Sequence, residues 1–504
     1  MTTLNATDTG APHLGGLRVA IVTTAAAGVG LFLVAVSDLS TMWQLLVFLA
    51  IGTATAMVWS RDIRTFLMCG MAFTAPIGIS KGLVAHGGIY SPALELFPVD
   101  LFLAALLVVW LVDRKLMRRT PTRIGVGWRI VLAWMAWSWI CVLFAADRLA
   151  GVLAGINLTT SFLMFVMIAD LVESTADIRR VLMAAGAGLA LNLVMVAAQF
   201  VTGRQLELQG AKAATLGVQL TYDATGGVSA FRPSGFLLHP NKMADYLTLL
   251  LPTLLLLTLL GPARLGRRAW WPSLGLLLGG AVALLVTLSR AGWISFTVAA
   301  AFALIVGYRG GLVRKSQLVA IAIAVVVGIG AITAAYPAIY YRLAKSDNQS
   351  TRARLLMMDQ AWLIIRRHPI VGVGLGGYND AAQRNIPESF ASVPPKFQET
   401  LLAGVVHQHF LLIWAEGGVI ALVLALLLFG TFIRSYFRIP HWRDPALQTI
   451  HLGLVAGLVG HVTFCNFDHF YFDITRYTIW IMLGLLAASA RLSTRAAVPV
   501  PSSR

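Results

Sequence analysis

The sequence predicts an all-α, polytopic membrane protein. Of its 504 residues, 58% are hydrophobic and only 12% are charged, and the mean hydropathy is +0.77. Soluble domains carry about 25% charged residues. Apolar runs long enough to cross a bilayer recur along the whole chain. These observations favour a bundle of about 12–14 transmembrane helices with one large helical external loop.

The apolar runs give about fourteen candidate spans, each close to the roughly 17 to 25 residues that a transmembrane helix needs. They are residues 17–36, 41–58, 64–82, 98–113, 126–146, 151–172, 179–202, 242–261, 270–288, 291–307, 317–337, 409–433, 448–466 and 470–489. The first 16 residues lack the basic start and the cleavage site of a signal peptide, so we expect the first run to remain as a helix.

Four regions follow from the spacing of these runs. They are N-terminal transmembrane helices over 1–202, central transmembrane helices with a first external loop over 203–337, a large external loop over 338–408 and C-terminal transmembrane helices over 409–504.

The basic residues indicate orientation rather than nucleic-acid binding. A net charge of +17 would suggest a nucleic-acid partner in a soluble protein, but here the basic residues cluster in short segments between apolar runs. Short basic connections stay in the cytoplasm. These segments are 114–119, 264–268, 309–315 and 434–443. They predict cytoplasmic termini and place loops 203–241 and 338–408 on the opposite side of the membrane.

The large loop is predicted to be folded and to carry an excess of basic residues. Residues 351–367 combine an apolar face with charges at both ends, which is typical of a helix lying on a membrane surface. Pro369 and the glycine run 372–377 end that helix. The loop contains eight Lys or Arg residues and five acids. Because long loops escape the charge rule, this excess favours an anionic partner.

Two polar clusters lie at the external mouths of spans. Arg232, His239, Asn241 and Lys242 precede or open the span near 242–261, where they either cap the helix or bind a ligand. Arg290 follows Ser289 at an external junction with almost no loop. An arginine there is either an interfacial anchor or an anion ligand.

The large loop contributes two further arginines and a glycine-rich segment. Arg352 and Arg354 open its predicted helix. The segment His368 to Tyr378 contains a GxGxGG pattern, but no strand precedes it, so it is a weak nucleotide fingerprint. It favours a turn over a phosphate cradle.

A pair of ionisable residues marks the span after the large loop. His407 and Glu416 are nine residues apart and would lie on opposite faces of one continuous helix, so they do not form a direct pair. His407 is either a helix cap or a base. His409, two residues further on, is expected to be structural.

Taken together, these groups favour a transferase whose leaving group is a phosphate. Arginine binds phosphate bidentately and stays charged. A histidine titrates near neutrality and can take a proton from a hydroxyl. The chain has no Asp-x-Asp motif and no paired cysteines, so we predict neither a metal nor a cofactor.

The order and spacing of these motifs over about 230–430 resemble the O-antigen ligase and polymerase superfamily, membrane glycosyltransferases that use undecaprenyl-pyrophosphate-linked glycans. The matching residues are Arg232 to Asn241, Ser289-Arg290, Ser350 with Arg354, His368-Pro-Ile370 with Gly372, Gly374, Gly376 and Tyr378, and His407, Gln408, Phe410, Leu411, Glu416 and Gly418. Two positions depart from the family pattern. Gln408 replaces the usual Asn, and Met358 stands where a Trp is common.

The resemblance implies roles for these residues. Arg290 and Arg354 would grip the pyrophosphate, and His407 would be the base that activates an acceptor sugar hydroxyl. Glu416 would be a structural partner for a donor within the bundle. The residues expected to contact substrate are Arg232, His239, Asn241, Lys242, Arg352 and Tyr378.

The resemblance also implies a location and partners. The protein would lie in the bacterial inner membrane with its active site facing the periplasm. Its donor would be an undecaprenyl-pyrophosphate-linked glycan, and its acceptor lipid A core or, in a polymerase, a second lipid-linked glycan. A small-anion transporter and a structural scaffold are the rival hypotheses from other classes.

Overall fold

The computed structural model describes residues 51–52, 62–84, 92–117, 121–206, 221–224, 228–335, 339, 348–439, 442, 444–469 and 474–495. The predicted spans 17–36 and 41–58 lie outside these ranges, apart from residues 51 and 52. The described part of the chain is almost entirely helical, which confirms the all-α class.

The described chain forms sixteen α-helices and four short strands. The helices are α1 (Ile63–Thr74), α2 (Pro98–Val109), α3 (Trp128–Val142), α4 (Arg148–Leu171), α5 (Thr175–Thr202), α6 (Pro240–Leu260), α7 (Pro262–Leu265), α8 (Arg267–Val286), α9 (Arg290–Arg309), α10 (Lys315–Ala335), α11 (Asn348–Arg367), α12 (Tyr378–Arg384), α13 (Pro395–Ala403), α14 (His409–Ser435), α15 (Pro445–Phe464) and α16 (Thr475–Arg495). The strands are β1 (Lys81–Val84), β2 (Leu94–Leu96), β3 (Thr221–Ala224) and β4 (Val228–Phe231).

Seven described helices are long and apolar enough to cross a membrane, namely α4, α5, α6, α8, α9, α14 and α15. Each coincides with a predicted span. Three shorter apolar helices, α1, α3 and the first part of α10, also fall on predicted spans. The chain is therefore a multi-pass membrane protein.

The centre of the bundle is the contact between α6 and α15, where glycines allow the two backbones to approach closely. A Cβ atom on Gly457 of α15 would lie 2.1 Å from the carbonyl oxygen of Leu249. In the same contact, His461 Nδ1 lies 3.0 Å from Asp245 Oδ1, and both side chains are buried. Pairing is the usual condition for keeping such groups inside a membrane protein. This contact fixes the start of α6 beside the end of α15.

Loop 203–241 contains a hairpin that the apolar pattern did not predict. Strands β3 and β4 pair antiparallel, with Thr221 opposite Phe231. Arg232 follows directly, so the hairpin delivers it to the start of α6.

Helix α11 corresponds to the predicted surface helix 351–367 and begins three residues earlier, at Asn348. It packs on α14. Helices α12 and α13 complete the described part of the large loop.

Five helices meet at one end of the bundle. Helices α6, α9 and α14 begin there, and α8 and α15 end there. Hydrogen bonds join them: the amide of His409 donates to the carbonyl of Cys465 at 2.8 Å, and the Arg232 side chain donates to the carbonyl of Thr287. We call this the long-loop end, because both long loops return to it. Arg232, Asn241, Arg290 and His407 lie there.

Candidate active site

A histidine–aspartate pair lies at the long-loop end. His407 directly precedes α14, and Asp468 lies in the turn after α15. The Nδ1 atom of His407 is 2.9 Å from Oδ1 of Asp468. The histidine side chain is 36% exposed, whereas that of Asp468 is 9% exposed. The partly exposed imidazole of His407 thus contacts the buried carboxyl group of Asp468.

The charge of Asp468 determines which ring nitrogen of His407 carries the proton. Burial alone would raise the pKa of Asp468, but the imidazole and hydrogen bond of His407, with the rings of His469 and His239, hold that pKa well below its usual range. A carboxylate can only accept, so Nδ1 of His407 must donate. In the neutral ring Nε2 then keeps a lone pair. That is the state a general base requires.

A chain of hydrogen bonds connects Asp468 to two other segments. Asn241 Nδ2 donates to Asp468 Oδ2 at 2.8 Å, and Arg232 Nη2 donates to Asn241 Oδ1 at 3.0 Å. Arg232 Nε donates to the carbonyl of Thr287 at 2.9 Å. The carboxylate needs a donor and the guanidinium an acceptor, so together they fix the orientation of the Asn241 amide. We call Arg232, Asn241, Asp468 and His407 the polar relay.

Arg290 stands at the N-terminus of α9. Ser289 caps the helix by accepting from the amide of Gly292 at 3.3 Å. Leu288, just before it, has φ +52°, a left-handed conformation that costs a non-glycine residue of order 1–3 kcal/mol. Arg290 is half-buried, and its guanidinium makes no hydrogen bond or ion pair within the described residues. A helix N-terminus also favours anions, so this arginine is placed to bind one.

The arginines of the large loop lie on the first turns of α11. Arg354 is half-buried, and among the described residues its guanidinium likewise has no hydrogen bond or ion pair. Arg352 is exposed. Helix α11 packs on α14, which begins two residues after His407, and the rings of Trp362 and Trp414 meet in this contact at 5.4 Å.

His239 and Lys242 frame the start of α6. His239 is the N-cap residue, and its Nδ1 accepts from the amide of Asn241 at 3.0 Å. Leu238 before it has φ +62°, which makes it, with Leu288, one of two non-glycine residues with positive φ in the described chain. Lys242 is half-buried in the first turn. Both strained turns therefore lie next to candidate site residues.

Residues 273–426 match the sequence profile of the family described as O-antigen ligase. We call this segment the O-antigen ligase domain, after the family that it resembles. Arg290, Arg354 and His407 all lie within it. The chain has no significant match among curated proteins.

The O-antigen ligase domain draws on residues outside its matched limits. Arg232 and Asn241 precede residue 273, and Asp468 follows residue 426. Each of the three is hydrogen-bonded to another member of the polar relay. The flanking segments therefore hold the histidine of the domain in place.

Tyr378 of the O-antigen ligase domain is part of the packing. Its side chain is 1% exposed, and its hydroxyl donates to the carbonyl of Met357 at 3.5 Å. It therefore offers a substrate no surface in this structure. Its amide donates to Glu416 Oε1 at 3.3 Å, so the buried glutamate of α14 has a structural partner.

The glycine-rich segment of the domain fills a break in α14. The amides of Val373 and Gly374 donate to the carbonyls of Ala415 and Glu416, both at 2.9 Å. Gly418 breaks the helix with φ +69°. Helix α14 is therefore interrupted just after Glu416, because backbone from the preceding loop replaces the helical hydrogen bonds here.

Steric crowding explains why position 418 is a glycine. A Cβ atom at this position would lie 1.8 Å from the carbonyl oxygen of Ile370. Amides of the glycine-rich segment already bind carbonyls and the carboxylate of Glu416. These amides therefore bind the protein's own carbonyl and carboxyl groups rather than being left open for a ligand.

Sequence reasoning missed Asp468 as a partner of His407. The available signal was the polar run Asn466 to His469 closing the apolar span 448–466. His469 also approaches the pair, with its ring centre 5.7 Å from that of His407. One potential metal-ligand atom from each of His407, Asp468 and His469 lies within 4.8 Å of the other two.

Proposed function

We propose that the protein is a membrane glycosyltransferase that moves a glycan from undecaprenyl pyrophosphate to a sugar hydroxyl of lipid A core. The reaction would occur with inversion and without a metal, on the periplasmic face of the bacterial inner membrane, with both termini in the cytoplasm. The O-antigen ligase domain supports the reaction class. The donor, acceptor and orientation are our inference from the sequence and the site.

The observation that carries this proposal is the contact between His407 and Asp468. The buried carboxylate leaves Nε2 of the half-exposed ring as the basic atom. In the proposed step, Nε2 takes the proton of the acceptor hydroxyl while its oxygen bonds to the anomeric carbon. The bond from that carbon to the pyrophosphate oxygen breaks, and its electrons leave with the pyrophosphate. Asp468 stabilises the resulting imidazolium.

The leaving group would be held by arginines. Arg290 combines a guanidinium with the N-terminus of a 20-residue helix, and both features attract phosphate oxygens. Arg354 would reach the same pyrophosphate from α11. Donors fixed before the reaction stabilise the charge that develops on the leaving group.

The remaining candidate residues form a buried group and a group with exposed surface. Arg232 and Asn241 are buried and would orient Asp468 and the turn before Arg290. His239, Lys242 and Arg352 each retain exposed surface, and we keep them as candidate donor contacts.

The test is reconstitution of the purified protein in vesicles with an undecaprenyl-pyrophosphate glycan and lipid A core. Glycosylated lipid A is the expected product. A ladder of longer lipid-linked chains, formed from the donor alone, would instead identify a polymerase that joins repeat units. If folded protein yields neither product, the transferase proposal is wrong.

A further inference from the structure

The geometry points to a binding site for one divalent transition-metal ion, of the Zn²⁺ class, formed by His407, Asp468 and His469. Its filling would inhibit the transferase reversibly. The inhibition rests on the proposed function, whereas the binding does not.

The ligand set has the composition such ions prefer. Two imidazoles and one carboxylate bind zinc at about 2.0–2.2 Å, whereas magnesium and calcium prefer oxygen ligands alone. Three protein ligands with an open fourth position are typical of accessible zinc sites. Here both histidines retain exposed surface and the carboxyl group is buried between them, so an ion could reach the site from the aqueous phase.

The spacing of the three ligand atoms is close to that around a bound zinc ion. The three ligand atoms lie within 4.8 Å of one another. A tetrahedral zinc ion needs ligand atoms about 3.4 Å apart. His407 Nδ1 and Asp468 Oδ1 are already 2.9 Å apart. Binding would therefore widen the His407–Asp468 contact slightly and draw in His469, which follows α15 in a turn rather than within a helix.

Coordination removes the base in either binding mode. If the ion binds Nδ1 of His407, the single proton of the neutral ring moves from Nδ1 to Nε2 by exchange with solvent, and Nε2 loses its lone pair. If the ion binds Nε2, the lone pair is occupied directly. No nitrogen of His407 is then left to accept the proton of a sugar hydroxyl.

Binding is tested first, without substrate. Full-length protein carrying a tag free of histidine is titrated with Co²⁺, whose visible absorption reports coordination, and with Zn²⁺ by calorimetry. We expect one ion per chain. His469→Ala should weaken binding about tenfold or more, since even outer-shell changes cost 10- to 100-fold. His469→Gln serves as the second variant, because it nearly preserves side-chain size.

The matched control is His368→Ala. This exposed histidine lies in the turn after α11, outside the cluster, and its loss should leave the affinity unchanged. Equal affinities of the wild type and both His469 variants would overturn the site, as would loss of binding in the control alone.

Turnover is measured second. Zn²⁺ should inhibit the wild type, a chelator should restore it, and the activity that His469→Ala retains in chelator should resist the ion. Inhibition that persists unchanged in His469→Ala would overturn the inhibitory role. Wild type that is inactive in chelator contradicts the proposed transferase but leaves the Co²⁺ and Zn²⁺ titrations as an independent result.

Discussion

Asn241 and Asp468, 227 residues apart in the chain, are joined by a 2.8 Å hydrogen bond between the start of α6 and the turn after α15. Through this bond the carboxylate beside His407 is connected to Arg232 and to the turn that carries Arg290. The proposed base and one proposed phosphate ligand thus share a single scaffold.

His407→Ala should abolish glycan transfer and leave donor binding intact, because the imidazole would act only on the acceptor proton. Loss of a general base costs about 10²- to 10⁴-fold in rate. Arg290→Ala and Arg354→Ala should weaken donor binding as well, as measured with a labelled lipid-linked donor. Arg384→Ala is the control, since among the described residues Arg384 forms an ion pair only with Asp380, at the surface. Equal donor affinity in the His407, Arg290 and Arg354 variants would contradict the assigned roles.

Asp468→Asn should lower kcat about 10²- to 10⁴-fold while the donor KM changes little. A neutral amide no longer forces Nδ1 of His407 to donate, and it stabilises an imidazolium poorly. Steady-state kinetics separates the two parameters. An increase in donor KM at constant kcat would show that Asp468 serves donor binding instead.

The stability contribution of Asp468 should depend on pH in a defined direction. Its pKa is lowered on folding, so its contribution is present above the unfolded value of about 3.9 and is lost as the pH falls through the folded value. The wild type should be more stable than Asp468→Asn from pH 7 to about 4, and the difference should shrink below that. Unfolding midpoints in detergent measure it. A difference that grows below pH 4 would contradict this assignment.

Arg232→Lys should destabilise the protein by about 1–3 kcal/mol despite keeping the charge. The guanidinium serves two buried acceptors at once, the Thr287 carbonyl and Asn241 Oδ1, and one ammonium cannot reproduce that fork. Arg384→Lys should cost less than about 1 kcal/mol, because its ion pair is exposed. Similar thermal shifts in the two variants would rule out a special role for Arg232.

Gly418→Ala should prevent proper folding, because alanine tolerates φ +69° poorly and its Cβ would overlap the carbonyl of Ile370. Gly430→Ala in the same helix is the matched control. Nothing lies within 4 Å of a Cβ there, so its stability should stay the same or rise slightly. Size-exclusion profiles of the two variants should therefore differ, and a monodisperse Gly418→Ala protein would contradict this reading.

The sequence predicted the spanning helices well, because membrane helices are encoded by length and polarity alone. Helices α6, α9 and α14 begin within three residues of the predicted spans. The residue types of the candidate site were also visible, since charged groups at the ends of apolar runs stand out.

Contacts between distant segments were not predictable from the same pattern. Nothing near Asp468 indicates that its partners are His407 and Asn241, because those contacts depend on how α6, α14 and α15 pack. Likewise, the Glu-Gly-Gly of α14 fits a continuous helix until the backbone at Pro369 and Ile370 is placed beside it. For the same reason, the sequence did not reveal that Tyr378, one of the expected substrate contacts, is buried.

The break in α14 has a mechanical consequence. An interrupted helix in hydrocarbon leaves peptide groups without partners at a cost of several kcal/mol each, and here residues 369–374 supply those partners, including the carbonyl of Pro369 for the amide of Val419. The glycine-rich segment therefore cannot open as a lid without breaking the hydrogen bonds that complete α14. The segment and α14 form one rigid unit, so any gating motion during turnover belongs to other parts of the protein.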